Sequence, residues 1–178
     1  ELTQVLSRLF YGISTDYGKW RSLLEEIRSN EEYVTVTMKG EGRQVFCHSE
    51  LDETLAASIK VPNYFLLDIY SNAVKHGLRT EGRLTTRLIA AESSSGVYHL
   101  VIEDSGVEMT EPKQVTNSVR KSTGLDRFKT SIRLFNREKS GVEIFFDPDI
   151  DMSYIFDERN GLIGGTSVSI KIVLNEKS

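Results

Sequence analysis

Cys47 is the only cysteine in 178 residues, so an internal disulfide is excluded. Its neighbour His48 makes a Cys-His pair, but no further cysteine or clustered histidine completes the four-ligand set that a zinc site needs. Cys47 therefore reads as an ordinary buried or half-buried thiol. No apolar run approaches the roughly 20 residues that cross a bilayer, and no signal peptide is visible. Charge of one sign is also scarce in excess. The net charge of −4 gives no whole-chain electrostatic case for nucleic acid or anionic lipid. Internal repeats and low-complexity linkers are missing as well.

What is present suits one ordinary domain. Hydrophobic residues are 39% and charged residues 27%, as in a soluble globular chain long enough to bury a core. The first residue is Glu1, not Met, and it directly precedes an amphipathic stretch, LTQVLSRLFYGIS (2–14), so the chain starts inside what reads as a helix. The expectation is a fragment of something longer. A second helix is expected to start near Lys19 and to include WRSLLEEIRS, with its end open. YVTVTM (33–38) alternates and is β-branched, so propensity favours a strand. QVFCH (44–48) is a short strand candidate after the GEG break.

A long helix is expected over 61–79, VPNYFLLDIYSNAVKHGLR, with Pro62 in its first turn and Gly77 near its end. RLTTRLIAAES and GVYHLVIEDSG read as a hairpin across an SSSG turn. Residues 107–123 are polar and aperiodic, and read as a mobile loop. GLDRFKTSIRLFNREKSG (124–141) reads as an amphipathic helix with Leu125, Phe128, Ile132 and Phe135 on one side. VEIFFD (142–147) and GTSVSIKIVL (165–174) read as strands, separated by a polar turn region. Helices beside mostly antiparallel strands predict an α+β two-layer sandwich.

The long helix places Leu66, Ile69, Tyr70, Ala73 and Val74 on one side. Asp68, Asn72, Lys75 and His76 fall on a separate arc. A solvated face explains such an arc on any surface helix. A weak helix former, Asn72, and the mixture of four chemistries argue for a site instead. Carboxylate and amide oxygens are hard ligands suited to Mg²⁺, which is commonly held by few protein groups and substrate phosphates. Lysine supplies phosphate countercharge, and imidazole stacks or hydrogen-bonds. The arc makes sense as a Mg-nucleotide site.

Three weaker features follow downstream. Asp104, where VIEDSG ends a strand, can accept from an exocyclic amine, and Gly106 permits close backbone approach. An ordinary DSG turn explains the same residues. Gly124 opens a helix whose first N–H groups can face an anion, or simply starts that helix. Gly165-Thr166 enters the last strand, which a plain turn explains equally well.

The order of these pieces resembles the ATP-binding domain of the GHKL superfamily, and most closely the sensor histidine kinases of the LytS type. VPNYFLLDIYSNAVKHG is similar to that family's N box, IPPLLLQPLVENAIKHG. GLDRFKTSIRLF resembles GLxNVRERLRLLY, and LTQVLSRLFYGIS resembles the end of the second dimerisation helix. LLEEIRSNEEYVTVTMKGEGR is similar to the linking segment. The resemblance implies a Bergerat fold, a mixed and mostly antiparallel sheet with helices on one face, binding ATP and Mg²⁺. Residues 1–18 become the end of a dimerisation helix and its linker, and 19–178 the ATP-binding catalytic domain. Segment 33–39 becomes helix, against its propensity.

Carried over residue by residue, Asn72 is the Mg²⁺ ligand. Lys75 contacts phosphate, and His76 lies near ribose or adenine. Asp104 binds the adenine amine, Gly106 shapes its turn, Gly124 contacts phosphate, and Thr166 reaches adenine through water. Residues 107–123 form the lid. Ser71 stands where the Glu before the Asn is usual; Asp68, one turn earlier, either takes the orienting role that an acid four residues before the Asn has in the wider superfamily or helps to hold hydrated Mg²⁺. Glu108, Ser122 and Arg127 replace two glycines and an asparagine of the pattern. They leave open a second reading, a degenerate nucleotide-binding domain acting as a signalling scaffold.

The resemblance further implies a protein histidine kinase domain that donates the ATP γ-phosphate to a histidine outside this chain. Its partners are the dimerisation and phosphoacceptor helix and a response regulator, in a full-length homodimer. The domain is expected in the cytoplasm, as part of a membrane-anchored bacterial protein. Contact of this fragment with membrane or nucleic acid is not expected.

Overall fold

A computed structural model describes residues 19–78, 81–92, 94–109, 123–138, 141–157 and 162–175. The helix expected at 2–14 lies outside these residues. β1 (Trp20–Ser22) pairs antiparallel with β3 (Lys60–Pro62). Between them run α1 (Leu23–Gly40), β2 (Gln44–Glu50) and α2 (Glu53–Ser58). Then come α3 (Leu67–Asn72), continued by a π-helical turn Ala73–Gly77, and the hairpin β4 (Glu81–Ala90) and β5 (Val97–Met109). The chain closes with α4 (Thr123–Arg137), β6 (Val142–Phe145), α5 (Pro148–Asp151), β7 (Met152–Asp157) and β8 (Leu162–Leu174).

The main sheet has the order β2-β4-β5-β8-β6, with β7 also paired to β8. β2 and β4 are parallel and the other pairs antiparallel. Period-two alternation puts Leu84, Leu100, Ile102, Val168, Ile170, Ile172 and Ile144 in the core. α1 packs along β2, the π turn on β5 and β8, and α4 on β6 and α3. Phe128 of α4 stacks on Phe65 at 5.6 Å and meets Phe146 edge-on at 5.0 Å. The result is the expected α+β two-layer sandwich.

Three local expectations are corrected, and the conflict over 33–38 is decided. The helix α1 begins at Leu23, not Lys19, because Ser22 caps it: the Ser22 hydroxyl accepts from the Glu25 N–H, and the Glu25 carboxylate accepts from the Ser22 N–H. Residues 33–38 are helical, as the resemblance implies and against their β propensity. Leu23, Ile27, Asn30, Val34 and Met38 are buried at helical spacing, and the wider 3.6-residue period overrides the short β-like run. Thr35 returns its hydroxyl to the Glu31 carbonyl, so its polar group stays satisfied within the helix.

Pro62 lies in β3 rather than in a helical first turn. Tyr64 then takes a left-handed φ of 64°, which ends any helix reaching back across it, and α3 starts only at Leu67. Finally, the expected turn region between the last strands holds α5 and a paired strand, β7. The apolar run around Ile155 supplies a pairing segment beside β8. Cys47 is half-buried, with its thiol 3.7 Å from the Thr35 hydroxyl, and burial raises its pKa.

Candidate functional site

The amphipathic reading of α3 holds. Leu66, Ile69, Tyr70, Ala73 and Val74 are all buried. Asp68 and Asn72 are half-buried on the other arc, and Lys75 is exposed. His76 sits by its backbone in the π turn. Such turns hold one more residue than an α turn and recur at functional sites. Leu78, just past it, donates to the Ala73 carbonyl at 2.7 Å. Its side chain lies over Gly82, where an added Cβ would be 2.6 Å from Leu78 Cδ2 and 3.0 Å from the Ser105 carbonyl. The end of the polar helix is therefore held beside the stretch of β5 that carries Asp104.

Asp104 does not end a strand, as the sequence suggests, because β5 runs on to Met109. Its regular register with β8 is lost between Ser105 and Met109. Gly106 and Glu108 lie in this irregular segment, the kind of strand distortion often found beside sites. Residues 107–109 are thus strand rather than loop. The rest of the expected lid, 110–122, lies outside the described residues. Gly124 is the second residue of α4.

Asp104 and Thr166 are register partners on β5 and β8. Asp104 is 6% exposed. Its carboxylate accepts from the Thr166 N–H at 3.3 Å and, through a shorter bond, from the Thr166 hydroxyl. Thr166 therefore touches Asp104 directly, inside β8 rather than in a turn entering it. Burial raises the Asp104 pKa, and the two Thr166 bonds oppose that rise. Among the described residues, Thr166 is the only hydrogen-bond partner of this carboxylate, and it is neutral. Lone pairs remain for a further donor such as an amine.

Several residues that shape the site escape sequence reasoning. Glu26 is fully buried. It accepts from the Tyr64 and Leu66 N–H groups at 3.0 Å each, from Asn30 at 3.1 Å, and pairs with Arg21 at 3.1 Å. Burial raises its pKa, against the Leu66 amide, Arg21, the Tyr64 amide and Asn30. Arg43 donates to carbonyls at the end of the polar helix. Tyr70 and Thr86, both fully buried, share a 2.8 Å hydrogen bond beneath it. The one available signal was the Ser-x-x-Glu capping box at Ser22–Glu25, which announces the start of α1. Nothing local marks Glu26 or Arg43 as contacts of residues more than 30 positions away.

No family profile matches the chain, and no curated protein does either. Solved structures do. The mycobacterial sensor histidine kinase MprB aligns over 89% of this chain and 100% of its own, at 17% identity and a TM-score of 0.52. The catalytic domain of histidine kinase ThkA, in a nucleotide-free form, aligns over 89% of this chain and 98% of its own, at 12% identity and a TM-score of 0.51. At such identities the likeness concerns fold. The chain has the fold of histidine kinase catalytic domains.

Proposed function

We propose that this chain is the ATP-binding catalytic domain of a two-component sensor histidine kinase, with LytS-type kinases as the nearest pattern. In this reading residues 1–18 are the end of a dimerisation helix and its linker. The parent is a membrane-anchored bacterial homodimer whose cytoplasmic part passes phosphate to a response regulator. The observation that carries the reading is Asp104. A buried carboxylate with only a neutral partner among the described residues, beside the polar end of α3, suits recognition of an adenine amine. The fold and the order of the motifs support it.

The donor set fits Mg²⁺. Asn72 and Asp68 offer hard oxygen atoms one helical turn apart, and both are half-buried. Mg²⁺ supplies charge neutralisation on the phosphates when bound. Asn72 would hold the metal, with Asp68 orienting its hydration or the incoming group. Lys75, exposed at the helix end, neutralises phosphate. His76 lies near ribose or base, Gly106 keeps backbone close to adenine, and Gly124 offers its amide to phosphate. Thr166 holds the Asp104 carboxylate in one orientation. Transfer to a histidine outside this chain then depends on positioning and charge neutralisation.

Calorimetric titration with a non-hydrolysable ATP analogue tests the reading. Binding should require Mg²⁺, weaken at least about tenfold in Asn72→Ala, and be lost in Asp104→Asn. A wild-type chain that ignores millimolar nucleotide sinks it. That result favours the second reading, a nucleotide-poor signalling scaffold, for which Glu108 in the irregular part of β5 is the specific motive.

A further inference from the structure

Two charged side chains, one on α1 and one just after it, grip the two ends of the segment that carries Asp68, Asn72 and Lys75. At the leading end, Glu26 spends both carboxylate oxygens on backbone: Oε2 accepts from the Tyr64 N–H and Oε1 from the Leu66 N–H, each at 3.0 Å. Those two amides flank the turn that launches α3. At the trailing end, Arg43 Nη1 donates to the Leu78 carbonyl at 2.7 Å, and Nη2 to the Val74 carbonyl at 3.3 Å. Carbonyls at a helix end lack intrahelical donors, and a guanidinium fork suits them.

Both contacts trace back to one helix. Glu26 lies in the first turn of α1, and Arg43 follows its end, donating its own N–H to the Met38 carbonyl at 2.8 Å. A segment tied at one end to α1 and at the other to the turn anchored on that helix keeps its axial position and its rotation. The trailing tie falls on the π turn, and whether that turn forms decides the direction of Lys75.

We propose that α1 and the turn fastened to its C-terminal end form a two-ended clamp on the polar helix, with Glu26 and Arg43 as positioning residues for Asn72 and Lys75. The catalytic part of this inference rests on the functional reading above. The mechanical part stands on the hydrogen bonds alone. Small displacements of binding groups are costly in catalysis, so loosening either tie lowers Mg-nucleotide affinity without removing any group that touches the nucleotide.

The test uses Arg43→Met, Arg43→Lys and Glu26→Gln. Amide hydrogen exchange on the ligand-free chain should show residues 73–78 exchanging about tenfold faster in Arg43→Met. Amides of Ile102 and Val168 in the central strands should keep wild-type rates. Arg43→Lys, which reaches one carbonyl at a time, should restore part of the protection. Glu26→Gln should speed exchange over 64–70 instead. Affinity for Mg-nucleotide should fall about tenfold in Arg43→Met, with Mg-free nucleotide affected about twofold or less. Unchanged exchange at 73–78, or equal acceleration throughout the sheet, overturns the clamp. A wild type that binds no nucleotide overturns the functional reading instead, and the exchange result then decides the clamp by itself.

Discussion

A Cβ placed on Gly165 would stand 1.8 Å from the carbonyl oxygen of Asp104 and 3.1 Å from the Cα of Ser105. The strands β5 and β8 approach at this point more closely than any side chain allows. Asp104 therefore meets Thr166 because its neighbour in β8 is glycine.

Gly165→Ala should force β8 away from β5 at the candidate site. Overpacking of this kind costs about 1–3 kcal/mol, so Tm should fall by several degrees. Nucleotide affinity should fall with it. Chemical denaturation checks the first outcome. An alanine variant with an unchanged midpoint contradicts the close approach.

Asp104 has a raised pKa because burial disfavours its charge. In the folded state it holds its proton more tightly than in the unfolded chain. The sign is then fixed: stability relative to a non-titrating residue falls as pH rises from the unfolded pKa through the folded one. Asp104→Asn should thus be neutral or stabilising at pH 7, with its advantage shrinking as pH drops toward 4. Denaturation midpoints at a series of pH values decide this. An advantage that grows on acidification rules out the buried-charge account.

Tyr70 and Thr86 satisfy each other in a site closed to water. Tyr70→Phe leaves the Thr86 hydroxyl unpaired and should cost about 1–3 kcal/mol. The double variant Tyr70→Phe/Thr86→Val should recover most of that loss. Burial also raises the phenol's pKa, so the penalty should not vary between pH 6 and 9. A double-mutant cycle with no coupling would contradict the pair.

Lys75 is exposed, so Lys75→Met should change stability by about 0.5 kcal/mol or less. Nucleotide affinity should nonetheless fall several-fold. The wild-type affinity should depend more steeply on salt than the variant's. Equal salt slopes would remove Lys75 from the phosphate contacts.

The apolar side of α3 was legible because five residues repeat at helical spacing and no other element competes for them. The hairpin β4–β5 was legible for a similar reason, since its alternation and its turn residues agree. YVTVTM misled on its own because six residues support either period. The longer series from Leu23 to Met38, like the family resemblance, points to the helix. Pro62 misled because proline suits a helix start and the end of a strand alike. The pairing of β3 with β1 made that choice.

The sequence alone determined which face of each long element is apolar, and hence a two-layer α+β sandwich, because periodicity is a local property. It also placed Asp68 and Asn72 on the arc opposite the buried side of α3. Tertiary structure alone decided what that arc faces and what holds it. Asp104 meets Thr166 only through the register of β5 and β8. Glu26 meets Tyr64 and Leu66, and Arg43 meets Val74 and Leu78, across 31 to 40 residues of chain. Hydrogen bonds to backbone amides and carbonyls leave no mark on the residues they bind, because every residue except proline offers the same donor and acceptor.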